Sequence, residues 1–373
     1  MFALVVLILV LSLFLSFFFC NDSAVPHHRT GTKYRVYPTY DFACPIVDSL
    51  EGVTHALRTN EYHDRNDQYA WFLSTLRLRK VSIWDYSRLN FVYTLLSKRK
   101  LTWFVDSKRV SGWDDPRFPT VRGIRRRGLT IEALREYILM QGASKNTLLL
   151  EWDKLWAINK RIIDPIAPRF TALNRDHLVR VELVGGEGVP VGEETRQLPR
   201  HKKNPELGVK DVIYSRELLM EQADCAGLAV GDEFTLMDWG NVIVKEIVRD
   251  ADGRVTCLRC ELNLAGDFKK TALKATWLAA SAAQAVILHD YDYLITKKKL
   301  EEEDTLDDCL TPVTEFTTEA VGDANLTGAK RGEIVQLERK GFFIVDAEAS
   351  ATEAMHLIAI PDGKAKSTAS KHN

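Results

Sequence analysis

From about Leu178 onward, the chain consists of short apolar runs separated by Gly, Pro and Asp. This pattern constrains the fold more than any other feature, because short strands divided by turn residues are typical of β-barrels. The runs include Val179–Val184, Asp232–Leu236, Val242–Val244, Val255–Leu262, Ile334–Leu337 and Gly341–Val345. We therefore predict β-barrels in the second half of the chain, whose 373 residues suggest two or three domains.

The region ahead of these strands carries helical patterns instead. Apolar side chains repeat at helical spacing after Thr130, a suitable N-cap, and this pattern stops at Gly142. A second pattern covers Glu151 to Asp164 and ends at Pro165, and a third covers Asp64 to Leu76. We predict three helices here.

Charge is distributed unevenly along the chain. The formal net charge is only −1, yet residues 88–127 contain 11 Lys and Arg against 3 Asp and Glu. A solvated face is one interpretation of this segment. Because the cations alternate with Trp103, Phe104, Trp113 and Phe118, contact with a nucleic-acid backbone is the other.

The six cysteines form no disulfide framework and are typical of reduced thiols in a cytosolic protein. Cys257 and Cys260 have the spacing of a zinc knuckle, but no second Cys or His pair follows at a usable distance. We expect these two residues to lie on one strand of a hairpin and predict no metal site.

The segment Phe2 to Phe19 is almost wholly apolar, and as a helix it would nearly match the ~30 Å hydrocarbon core of a bilayer. A secretory signal would normally carry Lys or Arg ahead of its apolar run, and this segment has neither residue there. Three interpretations remain open: a wrongly assigned start that adds noncoding sequence, a membrane anchor, or a signal peptide. We favour the first.

Several motifs precede the helical region in a fixed order. They are Tyr37–Pro45, Glu51–Thr59, Tyr86–Asn90 and the basic loop Leu95–Phe104, which contains Leu-Ser-Lys-Arg at positions 96–99. In order and spacing these blocks resemble the class I glutamyl-tRNA synthetases of the eukaryotic and archaeal type. The loop stands where that family has its second signature, and the resemblance extends from about Pro26 to about Gly363.

The resemblance implies a multi-domain protein. Its α/β part would be the second half of a class I synthetase nucleotide-binding fold, followed by a helical stem-contact region and two β-barrels that bind the anticodon. The corresponding boundaries are 1–25 for an unrelated apolar segment, 26–110 for the catalytic part, 111–173 for the helical region and 174–373 for the barrels. The distal barrel, about 200–280, would be inserted in the proximal one.

The resemblance also implies an amino-acid pocket. Tyr40 and Cys44 match positions that contact the substrate amino acid, although Tyr40 could instead be a half-buried strand residue. Arg58 precedes a threonine at a position where the glutaminyl enzymes have a neutral cysteine. A guanidinium there can pair with the γ-carboxylate of glutamate, unless it only forms a structural ion pair.

ATP would be the second substrate, arriving with its own Mg²⁺. Residues matching the family's ATP site are Thr59, Arg88, Leu89, Leu96, Ser97, Lys98 and Arg99. Of these, Ser97 and Lys98 would act in catalysis at the phosphates, because this chemistry needs positioning and charge stabilisation.

Contact with tRNA is expected near the block Asp114–Gly123, which resembles a family block beside the acceptor and D-stem side. The candidates are Arg117, Arg122, Arg125, Arg126 and Arg127. Their expected contacts are with phosphates and independent of base sequence.

The function implied is ligation of L-glutamate to tRNA(Glu) through a glutamyl-adenylate, in the cytoplasm. A multi-synthetase complex is a further partner that the family allows, and we do not expect a membrane partner. None of the nine histidines forms the family's His-x-Gly-His signature, so the chain resembles a C-terminal portion of doubtful activity alone. The alternatives are a non-catalytic tRNA-binding fragment, a glutaminyl-tRNA synthetase, which Arg58 argues against, and a membrane-tethered synthetase.

Overall fold

The computed structural model describes the backbone of residues 19–20 and residues 26–34, 37–301 and 303–364. Most of the apolar segment Phe2–Phe19 and the tail after Lys364 lie outside the described residues. The chain divides into two compact units, one of residues 1–90 and 141–150, the other of residues 91–140 and 151–373. Among the described residues, none of the helices has the length and apolar character needed to cross a membrane.

The helices are α1 (Tyr40–Leu50), α2 (Asn66–Thr75), α3 (Lys98–Asp106), α4 (Val121–Arg126), α5 (Ile131–Gln141), α6 (Asp153–Ile163) and α7 (Gln222–Cys225). The first strands are β1 (Phe19–Cys20), β2 (Tyr37–Pro38), β3 (His55–Thr59), β4 (Ser82–Tyr86), β5 (Leu89–Phe91), β6 (Leu148–Leu150), β7 (Arg169–Phe170) and β8 (Ala172–Asn174). They continue with β9 (Val179–Gly185), β10 (Glu194–Pro199), β11 (Val209–Tyr214), β12 (Glu217–Met220), β13 (Glu233–Leu236), β14 (Gly240–Arg249) and β15 (Val255–Asn263). The last are β16 (Lys274–Ala275), β17 (Leu278–Ala279), β18 (Ala283–Tyr291), β19 (Glu315–Asp323), β20 (Ile334–Leu337), β21 (Gly341–Ala347) and β22 (Met355–Ile360).

The first unit has an α/β core. Strands β3 and β4 pair in parallel, and the chain between them passes through α2, as parallel strands require a crossover. Side chains along β3 alternate between exposed and buried, so that Ala56 and Arg58 face the interior. Ala56 packs with Tyr69, Leu73 and Val81 in a small apolar core.

The helical part of the second unit begins with the predicted basic loop. Leu95, the first residue of the loop, is buried with Leu101, Phe104 and Phe118, so the start of the loop is anchored in a core. The three predicted helices are confirmed as α2, α5 and α6, and their ends lie within two residues of the predicted ones. Gly142 follows α5 with φ of +68°. That left-handed conformation favours glycine and explains why the helix ends there.

The rest of the second unit contains two seven-stranded sheets and the separate antiparallel pair β10-β11. One has the order β16-β13-β14-β15-β9-β12-β17, and the other has the order β7-β20-β21-β22-β18-β19-β8. The first sheet lies in the sequence between β8 and β18 of the second, which confirms the predicted architecture of an α/β part followed by a helical region and two barrel-like β-domains. Strand β9 starts ahead of residue 200, the expected start of the distal barrel, and the domain boundaries remain predictions.

A buried ion pair lies just ahead of α4, and its arginine also contacts the residue that precedes β19. Arg117, with its side chain 7% exposed, donates from Nε and Nη2 to both carboxylate oxygens of Asp115 at 2.8 and 2.7 Å. Its Nη1 donates to the Thr314 hydroxyl at 2.8 Å. Burial alone would raise the pKa of Asp115, but the hydrogen bonds and charge of Arg117 outweigh it and hold that pKa below its usual range.

Replacing Arg117 with Ala should lower the free energy of unfolding by about 3–5 kcal/mol, because it leaves the buried Asp115 charge without its partner. The exposed Arg122 is the matched control, and its change to Ala should cost about 0.5 kcal/mol or less. Because the pKa of Asp115 is lowered in the folded chain, this stabilisation exists above the ordinary carboxyl pKa and is lost as the pH falls through the lowered one. Urea unfolding at neutral and acidic pH measures both effects, and equal urea midpoints for the two variants at neutral pH would contradict the prediction.

Candidate functional site

Arg58 is a buried cation surrounded by aromatic rings. Its side chain is 6% exposed, on the inward face of β3. The guanidinium carbon lies 4.9 Å from the ring centre of Tyr62, 5.3 Å from that of Tyr69 and 5.8 Å from that of Tyr40. Such rings attract a cation through their negative faces. We call Arg58 and these three tyrosines the arginine cage.

The cage contains no carboxylate that pairs with Arg58. Its Nε has no hydrogen-bond partner, and none of the ion pairs among the described residues of the first unit involves Arg58. An uncompensated buried charge costs free energy that a bound anion would recover. The structural ion pair, the alternative considered for Arg58, is therefore absent from the part of the chain that the structure describes.

Tyr40, a member of the arginine cage, and Cys44 lie one helical turn apart on α1. Tyr40 is the first residue of the helix and is 50% exposed, so the alternative that it is a strand residue is wrong. Its hydroxyl donates to the Cys44 sulfur, and this hydrogen bond is the main reason that the pKa of Tyr40 rises to about 12. Burial is the main reason that the pKa of Cys44 is raised, which keeps the thiol protonated.

Thr59, Arg88 and Leu89 lie at or beside the ends of two strands that belong to different sheets. Thr59 ends β3 and Leu89 begins β5, while Arg88 precedes it. Glu61 links Thr59 and Arg88, since its carboxylate accepts from the Thr59 hydroxyl and lies 2.8 Å from Nε of Arg88. The hydrogen bond from Thr59 is the main reason that the pKa of Glu61 is lowered, and a backbone hydrogen bond and the charge of Arg88 contribute in the same direction. The sequence analysis did not single out Glu61.

The residues Leu96 to Arg99 form an exposed turn at the start of α3, in the second unit. Ser97 is the N-cap and Lys98 the first helical residue, so free backbone N–H groups and a cation occur together. In the described part of the chain, neither Lys98 nor Arg99 forms an ion pair. This arrangement suits phosphate oxygens.

The arginines expected to contact tRNA fall into two groups. Arg126 donates to both oxygens of Asp346 at 2.7 Å, which raises its pKa, and the partly buried Arg127 donates to the carbonyl of Tyr291. Arg117, Arg126 and Arg127 therefore make structural contacts, and contact of the five arginines with tRNA phosphates stays a prediction. Arg122 and Arg125 are exposed and remain candidates.

Two further side chains of the first unit belong to this site. Asp48 accepts a hydrogen bond from the Tyr69 hydroxyl at 2.7 Å and one from the Cys44 thiol at 3.3 Å. The signal in the sequence was helical spacing, because Tyr40, Cys44 and Asp48 are successive fourth residues of α1. The polar contact of Tyr69 comes from another element, and no local pattern in the sequence indicates it.

Cysteine, histidine and carboxylate side chains of the described residues do not gather into a group that could hold a metal ion. Cys257 and Cys260 lie on β15, which pairs antiparallel with β14, so the hairpin prediction for them is confirmed. Cys260 is buried in the core of the first sheet.

Three family models match consecutive parts of the chain. The catalytic domain of class I tRNA synthetases (E and Q) matches residues 19–165, and two anticodon-binding domain models of the same class match residues 167–263 and 274–346. These matches follow the order of the α/β part, the helical region and the two sheets.

Curated relatives agree with these models. The chain is 58% identical over 346 residues to a probable cytoplasmic glutamate–tRNA ligase of Schizosaccharomyces pombe, covering 92% of this chain and 48% of that protein. It is 53% identical to the cytoplasmic glutamate–tRNA ligase of Arabidopsis thaliana, covering 93% of this chain and 48% of that protein. The bifunctional glutamate/proline–tRNA ligase of Mus musculus is 48% identical, with 91% of this chain and 23% of that protein covered.

The chain therefore spans about half the length of the first two relatives. Its α/β core, its helical region and its two seven-stranded sheets correspond to the domains that the three models describe, in the same order. The chain belongs to the class I tRNA synthetases of the glutamate and glutamine type.

Proposed function

We propose that this chain supplies the amino-acid pocket, the ATP-phosphate loop and the tRNA-binding domains of a glutamate–tRNA ligase. The arginine cage carries the proposal, because Arg58 is a buried cation whose Nε is without a partner among the described residues. A side-chain carboxylate of glutamate would supply the missing anion. The neutral amide of glutamine would leave the buried charge uncompensated.

In the first step of the proposed reaction, the α-carboxylate oxygen of glutamate attacks the α-phosphorus of ATP, and the bond to pyrophosphate breaks. In the second step, a ribose hydroxyl of the tRNA terminus attacks the activated carbonyl and AMP leaves. Both steps depend on orientation and on stabilising charge on phosphate oxygens. Arg58 would fix the γ-carboxylate, so that the α-carboxylate is the group presented to ATP.

Ser97 and Lys98 would contact the phosphates. The exposed position of both residues at the start of α3 supports this role, since the helix N-terminus and the ammonium group attract anions. Thr59, Arg88 and Leu89 would line the adenosine, with Leu96 and Arg99 flanking the phosphate loop. Mg²⁺ would enter with ATP as part of the substrate.

For tRNA, we propose that Arg122 and Arg125 contact backbone phosphates, because both are exposed and close in sequence on α4. Two relatives are named cytoplasmic, and we propose the cytoplasm as the location of this chain. The mouse relative joins glutamate and proline activities in one protein, which supports assembly with other synthetases as a further proposal.

Two alternatives have distinct consequences. A glutaminyl-tRNA synthetase would need a neutral pocket, which a buried arginine opposes. A tRNA-binding module without catalysis would retain the exposed arginines and have no need of the arginine cage. The assays below separate these alternatives by amino-acid use and by adenylate formation.

Replacing Arg58 with Cys should lower kcat/KM for glutamate by about 10²–10⁴-fold, because one desolvated ion pair of about 3–5 kcal/mol is lost. The test uses a chimera in which residues 26–363 replace the matching segment of the fission yeast relative. Pyrophosphate exchange measures adenylate formation, and the KM for ATP should change little.

The exposed Arg29 provides a matched control, since Arg29→Cys removes the same charge outside the cage. Retention of glutamate activity within a few-fold in Arg58→Cys would mean that Arg58 has a structural role. Glutamine activity need not appear, because an amide also requires its own hydrogen-bond partners.

A second comparison separates the ATP loop from the tRNA surface. In the 373-residue chain, changing both Arg122 and Arg125 to Gln should weaken binding of any tRNA and reduce the salt slope by about 0.7–0.9 per lost phosphate contact. In the chimera, Lys98→Met should leave tRNA affinity nearly unchanged and lower pyrophosphate exchange by about 10²–10³-fold.

Filter binding at two salt concentrations, run beside pyrophosphate exchange, measures both quantities. Arg126→Gln is a poor probe of tRNA contact, since Arg126 is held by Asp346. Identical binding and exchange profiles for the Lys98 variant and the double arginine variant would refute the assignment of the loop to ATP.

A further inference from the structure

Asp48 lies on the face of α1 that carries Tyr40 and Cys44. It is half-buried, and its Oδ2 accepts hydrogen bonds from two donors, the Tyr69 hydroxyl at 2.7 Å and the Cys44 thiol at 3.3 Å. Cys44 in turn accepts from the Tyr40 hydroxyl. Two branches of hydrogen bonds therefore meet at this carboxylate: Tyr40 donates to Cys44, which donates to Asp48, and Tyr69 donates to Asp48 directly.

Two of the side chains held in this way are walls of the arginine cage. The ring of Tyr69 is buried and its centre lies 5.3 Å from the Arg58 guanidinium carbon, and the ring of Tyr40 lies at 5.8 Å. The pKa of Tyr69 is raised, first by burial and then by its hydrogen bond to Asp48, so its hydroxyl stays protonated and continues to donate. Asp48 thus fixes the rings on two sides of the guanidinium.

The geometry also keeps the Asp48 charge off the guanidinium. Among the described residues of the first unit, Asp48 has no ion pair, and its Oδ2 is engaged by the phenol and the thiol. A carboxylate placed directly on Arg58 would neutralise it and compete with an anionic substrate. Asp48 contacts the cage through the Tyr69 hydroxyl, so it can orient the cage without occupying the position where the substrate carboxylate would bind.

We propose that Asp48 is a positioning residue for amino-acid recognition, which holds Tyr69, Cys44 and Tyr40 so that Arg58 faces the substrate side-chain carboxylate unpaired. This inference rests on the proposed function of Arg58. The inference goes beyond that function because it assigns the selectivity of the pocket to the hydrogen-bond acceptor Asp48 as well as to the cation Arg58.

Alkylation of Cys44 by iodoacetamide tests the inference in the 373-residue chain without requiring catalysis. Cys44 is partly exposed, whereas Cys225, Cys260 and Cys309 are buried, so their alkylation reports unfolding. Peptide mass spectrometry gives the rate at Cys44, and increasing glutamate gives the concentration that protects it by half. Variants are Asp48→Ala, Asp48→Asn, which retains an acceptor oxygen, and Asp67→Ala, an exposed carboxylate on α2 as control.

Asp48→Ala should speed alkylation of Cys44 without ligand by about threefold or more, since the thiol loses its acceptor and a cause of its raised pKa. It should also raise the glutamate midpoint by about tenfold, as expected for lost hydrogen bonds to a charged group. The glutamate midpoint of Asp48→Asn should stay within about threefold of the parent midpoint, because Asn retains an acceptor oxygen. The alkylation rate and the glutamate midpoint of Asp67→Ala should match those of the parent.

A destabilised fold alone would expose the buried cysteines, and it would not separate the Ala variant from the Asn variant. Parent and Asp48→Ala chains with equal glutamate midpoints would overturn the role of Asp48 and leave that of Arg58 intact. A parent chain that glutamate does not protect would count against the proposed function itself, and the inference would fall with it.

Discussion

Among the described residues, the buried guanidinium of Arg58 forms no ion pair, and the proposed site depends on this constraint. Arg58 is on the inward side of a short parallel strand, and a cation there is tolerated because three phenol rings surround it. Those rings come from two helices and the turn after the strand. The fold of the α/β core therefore brings the three tyrosines together around Arg58. In the sequence, only the arginine itself indicates this position.

Arginine serves two purposes in this chain, and burial separates them. Arg117 and Arg126 pair with carboxylates, and Arg127 donates to a backbone carbonyl, all inside the second unit. Arg122 and Arg125 have exposed side chains in the same short segment. A run of cations in the sequence is thus a mixture of structural ion pairs and free charge, and only the free charge can contribute to counterion release on nucleic acid.

Much of the architecture could be predicted because it depends on local signals. The ends of α5 and α6 follow from Thr130, Gly142 and Pro165, and the short strands follow from alternation and turn residues. The roles of Glu61 and Asp346 and the contact of Asp48 with Tyr69 could not be predicted, because each depends on a partner that is distant in sequence or on another element. Arg126 and Asp346 are 220 residues apart, and no pattern within a helix indicates that pair.

The measurement that tests the central claim most directly is the ratio of kcat/KM for glutamate to that for glutamine. It is made in the chimera that carries residues 26–363, with saturating ATP and tRNA. If the unpaired Arg58 selects the carboxylate, the ratio should favour glutamate by at least about 10²-fold, which corresponds to the lower bound for a desolvated ion pair. A ratio near one, or a preference for glutamine, would contradict the account.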